Sequence, residues 1–180
     1  MHQDGKSREE RGVSRDPAWY RHAERYRVRF SDLDTYRHVN NKAFLGYVED
    51  ARVRYLVEVG GFDQHYQGEG GIMVVHVSID YVSQINFFEE VRVLTRCSRL
   101  GNRSFTLHHL VLAGPEAPDR PAGDATNRAD QVDRPAGDSP GRVAATATTV
   151  FASVDMTAGR SRPNDPEMVA RIREYEPRLQ

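Results

Sequence analysis

A chain of 180 residues, 38% hydrophobic and 28% charged, has material for one ordinary domain with polar appendages. Its formal net charge of −1 removes the simplest argument for a nucleic-acid or anionic-membrane partner. The single cysteine, Cys97, excludes an intrachain disulfide, and no apolar run reaches the length of a membrane span.

Residues 1–22 are polar, mixed in charge and without periodicity, so they read as a disordered leader. No secretory apolar core stands among them, and the expected location is the cytoplasm. From Tyr26 to Phe30 apolar and basic residues alternate, as a half-buried first strand requires. The strand leads into Asp32-Leu-Asp-Thr-Tyr-Arg-His-Val-Asn-Asn41, which concentrates two carboxylates and a histidine just before an amphipathic segment.

That segment predicts a helix over 41–59, with Phe44, Val48, Ala51, Tyr55 and Val59 at helical spacing. Asn40 suits the N-cap, Val39 and Phe44 suit a hydrophobic staple, and Gly60-Gly61 supply a stop. Four alternating runs follow, over 72–82, 90–100, 104–112 and 142–154, rich in Val, Thr and Phe. Strand, long helix and four strands predict an α+β domain over 23–160 whose antiparallel sheet buries the helix.

The last two runs are separated by a Pro/Gly/Asp-rich stretch, 114–141, in which Asp-Arg-Pro-Ala-Gly-Asp occurs twice. It reads as a flexible insertion. In the tail, 161–180, Asp165-Pro166 predicts an N-cap and first residue of a short helix through about Tyr175. Cys97 has no sequence-adjacent base and reads as a packed thiol.

For chemistry, Asp34 lies nearer the helix start, where a carboxylate can serve as nucleophile, general base or water-positioning group. Asp32 suits the satisfaction of loop N–H groups, and from spacing alone capping is the ordinary task of either aspartate. His38 suits loop orientation as well as direct participation. Asp32, Asp34 and His38 lack a fourth nearby ligand, His76 being far along the chain, so no metal is expected. His108 and His109 face opposite sides of a strand and read as structural or surface residues.

The run Tyr26 to Asn41, with Tyr47-Val48-Glu49-Asp50-Ala51-Arg52 and Ile79-Asp80-Tyr81 after it, resembles the 4-hydroxybenzoyl-CoA thioesterase-like branch of the hot-dog superfamily. The resemblance covers about Arg25 to Met156 without the insertion. It implies a hot-dog fold, a sheet wrapped around one long helix, pairing edge to edge into a homodimer or dimer of dimers. It also implies an acyl-CoA thioesterase that needs no cofactor, with its substrate at the subunit interface. The family's catalytic aspartate, second of the Asp-x-Asp pair, falls on Asp34. Asn40 and Asn41 then form the helix start whose N–H groups hold the oxyanion, supported by Asp32 and His38. Some relatives carry histidine where Asn41 stands. Glu49 is the nearest match to the helix glutamate of sister branches, and it reads more readily as a salt-bridged surface residue. Arg103 and Ser104 match a basic-Ser-Phe segment near the family's CoA end. The competing expectation is a hot-dog protein that binds acyl-CoA or an acyl carrier without hydrolysing it.

Overall fold

The computed structural model describes residues 12–62, 70–116 and 141–179. The first eleven residues of the leader and residues 117–140 of the insertion lie outside this set.

In chain order the elements are β1 (His22–Arg27), α1 (Asn41–Glu58), β2 (Gly70–Tyr81), β3 (Glu89–Leu100), β4 (Ser104–Glu116), β5 (Arg142–Asp155), β6 (Arg160–Ser161) and α2 (Pro166–Tyr175). Every strand pairing is antiparallel, in the order β1-β3-β4-β5-β2, with β6 added on β5. The sheet curls around α1, the α+β arrangement expected from the resemblance.

Local chemistry fixes both ends of α1. The Asn40 side chain accepts from Ala43 N–H at 2.9 Å, the N-cap bond that satisfies one of the helix's orphan donors. Val39 and Phe44 are both buried in one cluster, which completes the staple. At the other end Gly61 takes φ +75°, and Phe62 N–H returns to the Leu56 carbonyl at 3.0 Å. Between the caps, Val48, Ala51 and Tyr55 are fully buried against the sheet. A large apolar side chain buried in this way contributes about 1.5–3 kcal/mol.

The first strand lies earlier than its alternation suggests. Pairing with β3 runs from His22 to Arg27, after which Phe30–Asp32 forms a 3-10 turn. The turn arises because Arg29 N–H bonds the Asp32 carboxylate at 2.8 Å and leaves the ladder.

Residues 12–21, read as the end of a leader, carry structure. Asp16 caps a 3-10 turn at Pro17–Trp19, and Tyr20 is buried with Leu94, Leu110 and Leu112 on the face of the sheet away from α1. The guanidinium groups of Arg96 and Arg178 lie 4.9 and 4.6 Å from the Trp19 ring centroid. Two neighbouring aromatics suffice to anchor the segment without any periodic pattern.

The tail helix forms where Asp165-Pro166 predicts it, with Asp165 accepting from Glu167 and Met168 N–H groups. It does more than close the chain. Met168 and Ile172 enter the core beside Tyr55, and buried Glu176 accepts from Tyr55 Oη at 2.7 Å and Cys97 N–H at 2.9 Å. Burial pushes the Cys97 thiol up to about 12, which fits the packed thiol expected of it.

Candidate active site

The loop between β1 and α1 is a clamp closed by backbone bonds. Leu33 and Val39 form an antiparallel bridge, Asp34 N–H donates to the His38 carbonyl at 2.8 Å, and Arg37 N–H donates to the Asp34 carbonyl at 3.0 Å. Arg37 sits at φ +64°, the left-handed residue that ends a three-residue hairpin loop. The clamp is docked in turn, since Val39 N–H reaches the Ile85 carbonyl at 2.9 Å and His38 bridges to Asn86.

Within it the two aspartates diverge. Asp32, half-buried, accepts through Oδ2 from Arg29 N–H and Tyr47 Oη, both at 2.8 Å, while its carbonyl takes Asn40 N–H at 2.9 Å. It ties the loop to α1. Burial first, and then the Asp32 bond and charge, push the Tyr47 phenol well above its usual range, so Tyr47 stays a hydrogen donor.

Asp34 is exposed, and its Oδ1 alone is engaged, accepting from Tyr36 N–H at 2.8 Å and more loosely from His38 N–H at 3.3 Å. This is an Asx turn that fixes the carboxylate's direction. Its Oδ2 has no partner among the described residues. A few residues on, the helix begins, and with Ala43 N–H taken by the cap, the N–H groups of Asn41 and Lys42 have no partner among the described residues. A free carboxylate oxygen and two free donors with the helix dipole behind them therefore share one short rigid loop.

His38 is bound to Asp34 through its backbone, and Asn41 is exposed as the first helical residue, whereas the Asn40 N–H, expected to help hold an oxyanion, is instead taken by the Asp32 carbonyl. Glu49 pairs with Arg52 at 2.7 Å, the surface role anticipated for it. Arg103 and Ser104 are not brought to this loop within the chain. They follow the far end of β3, whose near end, Glu89, adjoins Asn86, and twelve residues of strand span roughly 40 Å. Arg103 donates to the Ser161 carbonyl at 2.7 Å. Asp32, Asp34 and His38 do not converge into a metal-compatible group among the described residues.

A cavity of about 480 Å³ opens between β1 and the first half of α1, lined by Tyr26, Asp32, Gly46, Tyr47 and Asp50 among others. Asp34 does not line it. The role of Tyr47 was hidden in the sequence: only its place on the helix face shared with Ala43 and Asp50 hints that it looks back toward the loop.

Residues 28–172 match the family model described as the thioesterase-like superfamily. The chain belongs to that superfamily. Among solved structures, it is similar to a thioesterase from Thermus thermophilus complexed with coenzyme A and Zn. The two are 30% identical, with a TM-score of 0.67 over 90% of this chain and 98% of that one. The PA5185 protein of Pseudomonas aeruginosa strain PAO1 shares the fold, with a TM-score of 0.68, 24% identity and coverage of 91% and 97% of the two chains. The uncharacterized protein YsmA of Bacillus subtilis (strain 168) is 32% identical over 83 residues, 46% of this chain and 55% of its own. The chain spans about half the length of this curated relative. In a thioesterase the chemistry is cleavage of a carbonyl–sulfur bond.

Proposed function

We propose that the protein hydrolyses an acyl-CoA thioester to the free acid and CoA, with Asp34 as its catalytic carboxylate. The observation that carries this reading is the division of labour within Asp34, Oδ1 pinned by Tyr36 N–H and Oδ2 left without a partner among the described residues, a few residues before the helix start whose Asn41 and Lys42 N–H groups the Asn40 cap does not take.

The acyl carbonyl points its oxygen at the Asn41 and Lys42 N–H groups. Asp34 Oδ2 either attacks the carbonyl carbon or takes a proton from the water that does. The oxyanion is held by donors already oriented, and removing one such donor typically costs on the order of 10² to 10³ in rate. The carbon–sulfur bond then breaks, and the thiolate leaves with less proton assistance than an amine would need; the water route gives the free acid directly, while the nucleophilic route gives an acyl-aspartate anhydride that a water then hydrolyses to the acid and the restored Asp34 carboxylate. That makes one acid and a helix terminus sufficient.

Similarity to a thioesterase complexed with coenzyme A supports CoA as the carrier. The second subunit is supported by β2, an outermost strand with Met73, Val74 and Val75 exposed along it. A bare apolar edge is a template for strand pairing, so two copies joined through β2 satisfy both the backbone groups and the apolar surface. In such a pair, Arg103 and Ser104 of one copy are the candidates to meet CoA bound at the other.

The deciding experiment measures CoA release across a panel of acyl-CoA esters, native chain against Asp34→Asn. The variant is expected to keep its fold and association state and lose about 10²-fold or more in turnover. Unchanged turnover rejects Asp34, and acyl-CoA binding without CoA release by the native chain rejects hydrolysis altogether.

A further inference from the structure

At the opposite end of α1 from the Asp34 loop, three metal-compatible side chains meet. His22 opens β1, Glu24 follows two residues later on the same face of that strand, and Glu58 is the last residue of α1. One donor atom from each lies within 4.8 Å of the others. His22 Nε2 stands 3.1 Å from Glu58 Oε2 and 3.7 Å from Glu24 Oε1. Ligands held at roughly 2.1 Å from a common ion lie no more than roughly 4.2 Å apart, so both separations fit one coordination sphere.

The imidazole is placed as a ligand. It is only 5% exposed, its edge-to-face packing on Tyr55 fixes the ring, and Nε2 faces both carboxylates, within hydrogen-bond distance of Glu58.

Charge points the same way. Among the described residues, Arg54 stands against the two carboxylates, its Nε 3.4 Å from Glu24 Oε2, which leaves one negative charge over. The cluster also sits at a helix C-terminus, where the backbone dipole favours a cation. Glu58 is half-exposed, so it can adjust its geometry and leave a coordination position to water.

We propose that His22, Glu24 and Glu58 form a site for a divalent first-row transition cation of the Zn²⁺ type, fastening the end of α1 to the edge strand β1. One nitrogen and two carboxylate ligands suit such an ion better than Ca²⁺ or Mg²⁺, which take all-oxygen shells. The site is structural, and it stands apart from the proposed hydrolysis: an α1 of 18 residues is roughly 27 Å long, with Asp34 near its other end.

The test titrates Zn²⁺ into the full chain, stripped with a chelator, by calorimetry and by thermal unfolding. One ion per chain is expected, with a melting temperature that rises with ion concentration. Glu58→Gln and Glu24→Gln should each weaken binding about 10-fold or more. Glu58→Gln changes a half-exposed side chain, so its fold is secure and its result decides the matter alone if Glu24→Gln misfolds. No saturable uptake, or uptake in Glu58→Gln as tight as in the native chain, overturns the proposal.

Discussion

Tyr47 Oη donates to Asp32 Oδ2 across 2.8 Å, joining the first half of α1 to the loop that carries Asp34. Tyr47→Phe keeps the ring stacked on Tyr26 and removes only this bond. A hydrogen bond to a carboxylate is worth about 1.5–3 kcal/mol, and partial exposure places this one at the low end. Chemical denaturation should show that loss. On the proposed mechanism CoA release should fall several-fold with its pH profile unmoved, because Tyr47 would position the loop without touching the reacting atoms.

Gly46 lies inside α1 beside the cavity, and a Cβ built on it meets nothing within 4 Å. Glycine in a helix interior costs roughly 0.5–1 kcal/mol relative to alanine. Gly46→Ala should therefore raise stability by that amount without a clash, read as a higher urea midpoint.

Much of this neighbourhood was legible in the sequence, because short-range signals decide it. Asn40, Val39, Phe44 and the Gly60-Gly61 pair specify both ends of α1 within a few residues, and Asp165-Pro166 does the same for α2. The start of β1 was not legible. Alternation from Tyr26 to Phe30 is real as a side-chain pattern, yet Asp32 withdraws Arg29 from the ladder, and pairing shifts toward His22. The division between Asp32 as loop support and Asp34 as the reactive candidate was expected, but the tie that holds Asp32 to α1 was not legible. It depends on Tyr47 arriving from the next element, which no spacing of the loop residues encodes.

Glu176 illustrates the same limit in the tail. Burial holds its carboxyl above the usual carboxylate range, despite the bonds from Tyr55 and Cys97 that pull the other way. A raised folded pKa favours the protonated form, so its stabilisation is complete below about pH 4 and fades as pH climbs through the folded value. Glu176→Gln keeps an acceptor for both donors and should flatten this dependence, matching or exceeding native stability at pH 8. Glu176→Ala should lose about 1–3 kcal/mol by orphaning Tyr55 Oη and Cys97 N–H. Urea midpoints from pH 4 to 8 compare all three chains.

His109 works in the opposite sense. It is fully buried between Thr95 Oγ1 at 3.0 Å and Thr149 Oγ1 at 3.2 Å, and burial lowers its pKa to about 3. Its neutral ring is favoured in the folded chain, so its contribution is present above about pH 6.5 and is lost as pH falls toward the folded value. Each such histidine contributes a slope of up to about 1.4 kcal/mol per pH unit in that window. His109→Gln retains a donor and an acceptor for the two threonines and should make the acid limb between pH 6.5 and 4 shallower. A limb of unchanged slope would sink this account.

Residues near the two ends of the described chain are folded against each other. Arg21 donates to the Tyr175 carbonyl at 2.7 Å, Arg178 covers Trp19, and Glu176 completes the polar contacts of Tyr55 and Cys97. During synthesis the sheet and α1 emerge first, with Trp19 half covered and a buried phenol short of its acceptor. The core cannot close until α2 and Glu176 have cleared the ribosome, so a chain held before residue 165 has emerged would keep Tyr55 and Cys97 without their acceptor.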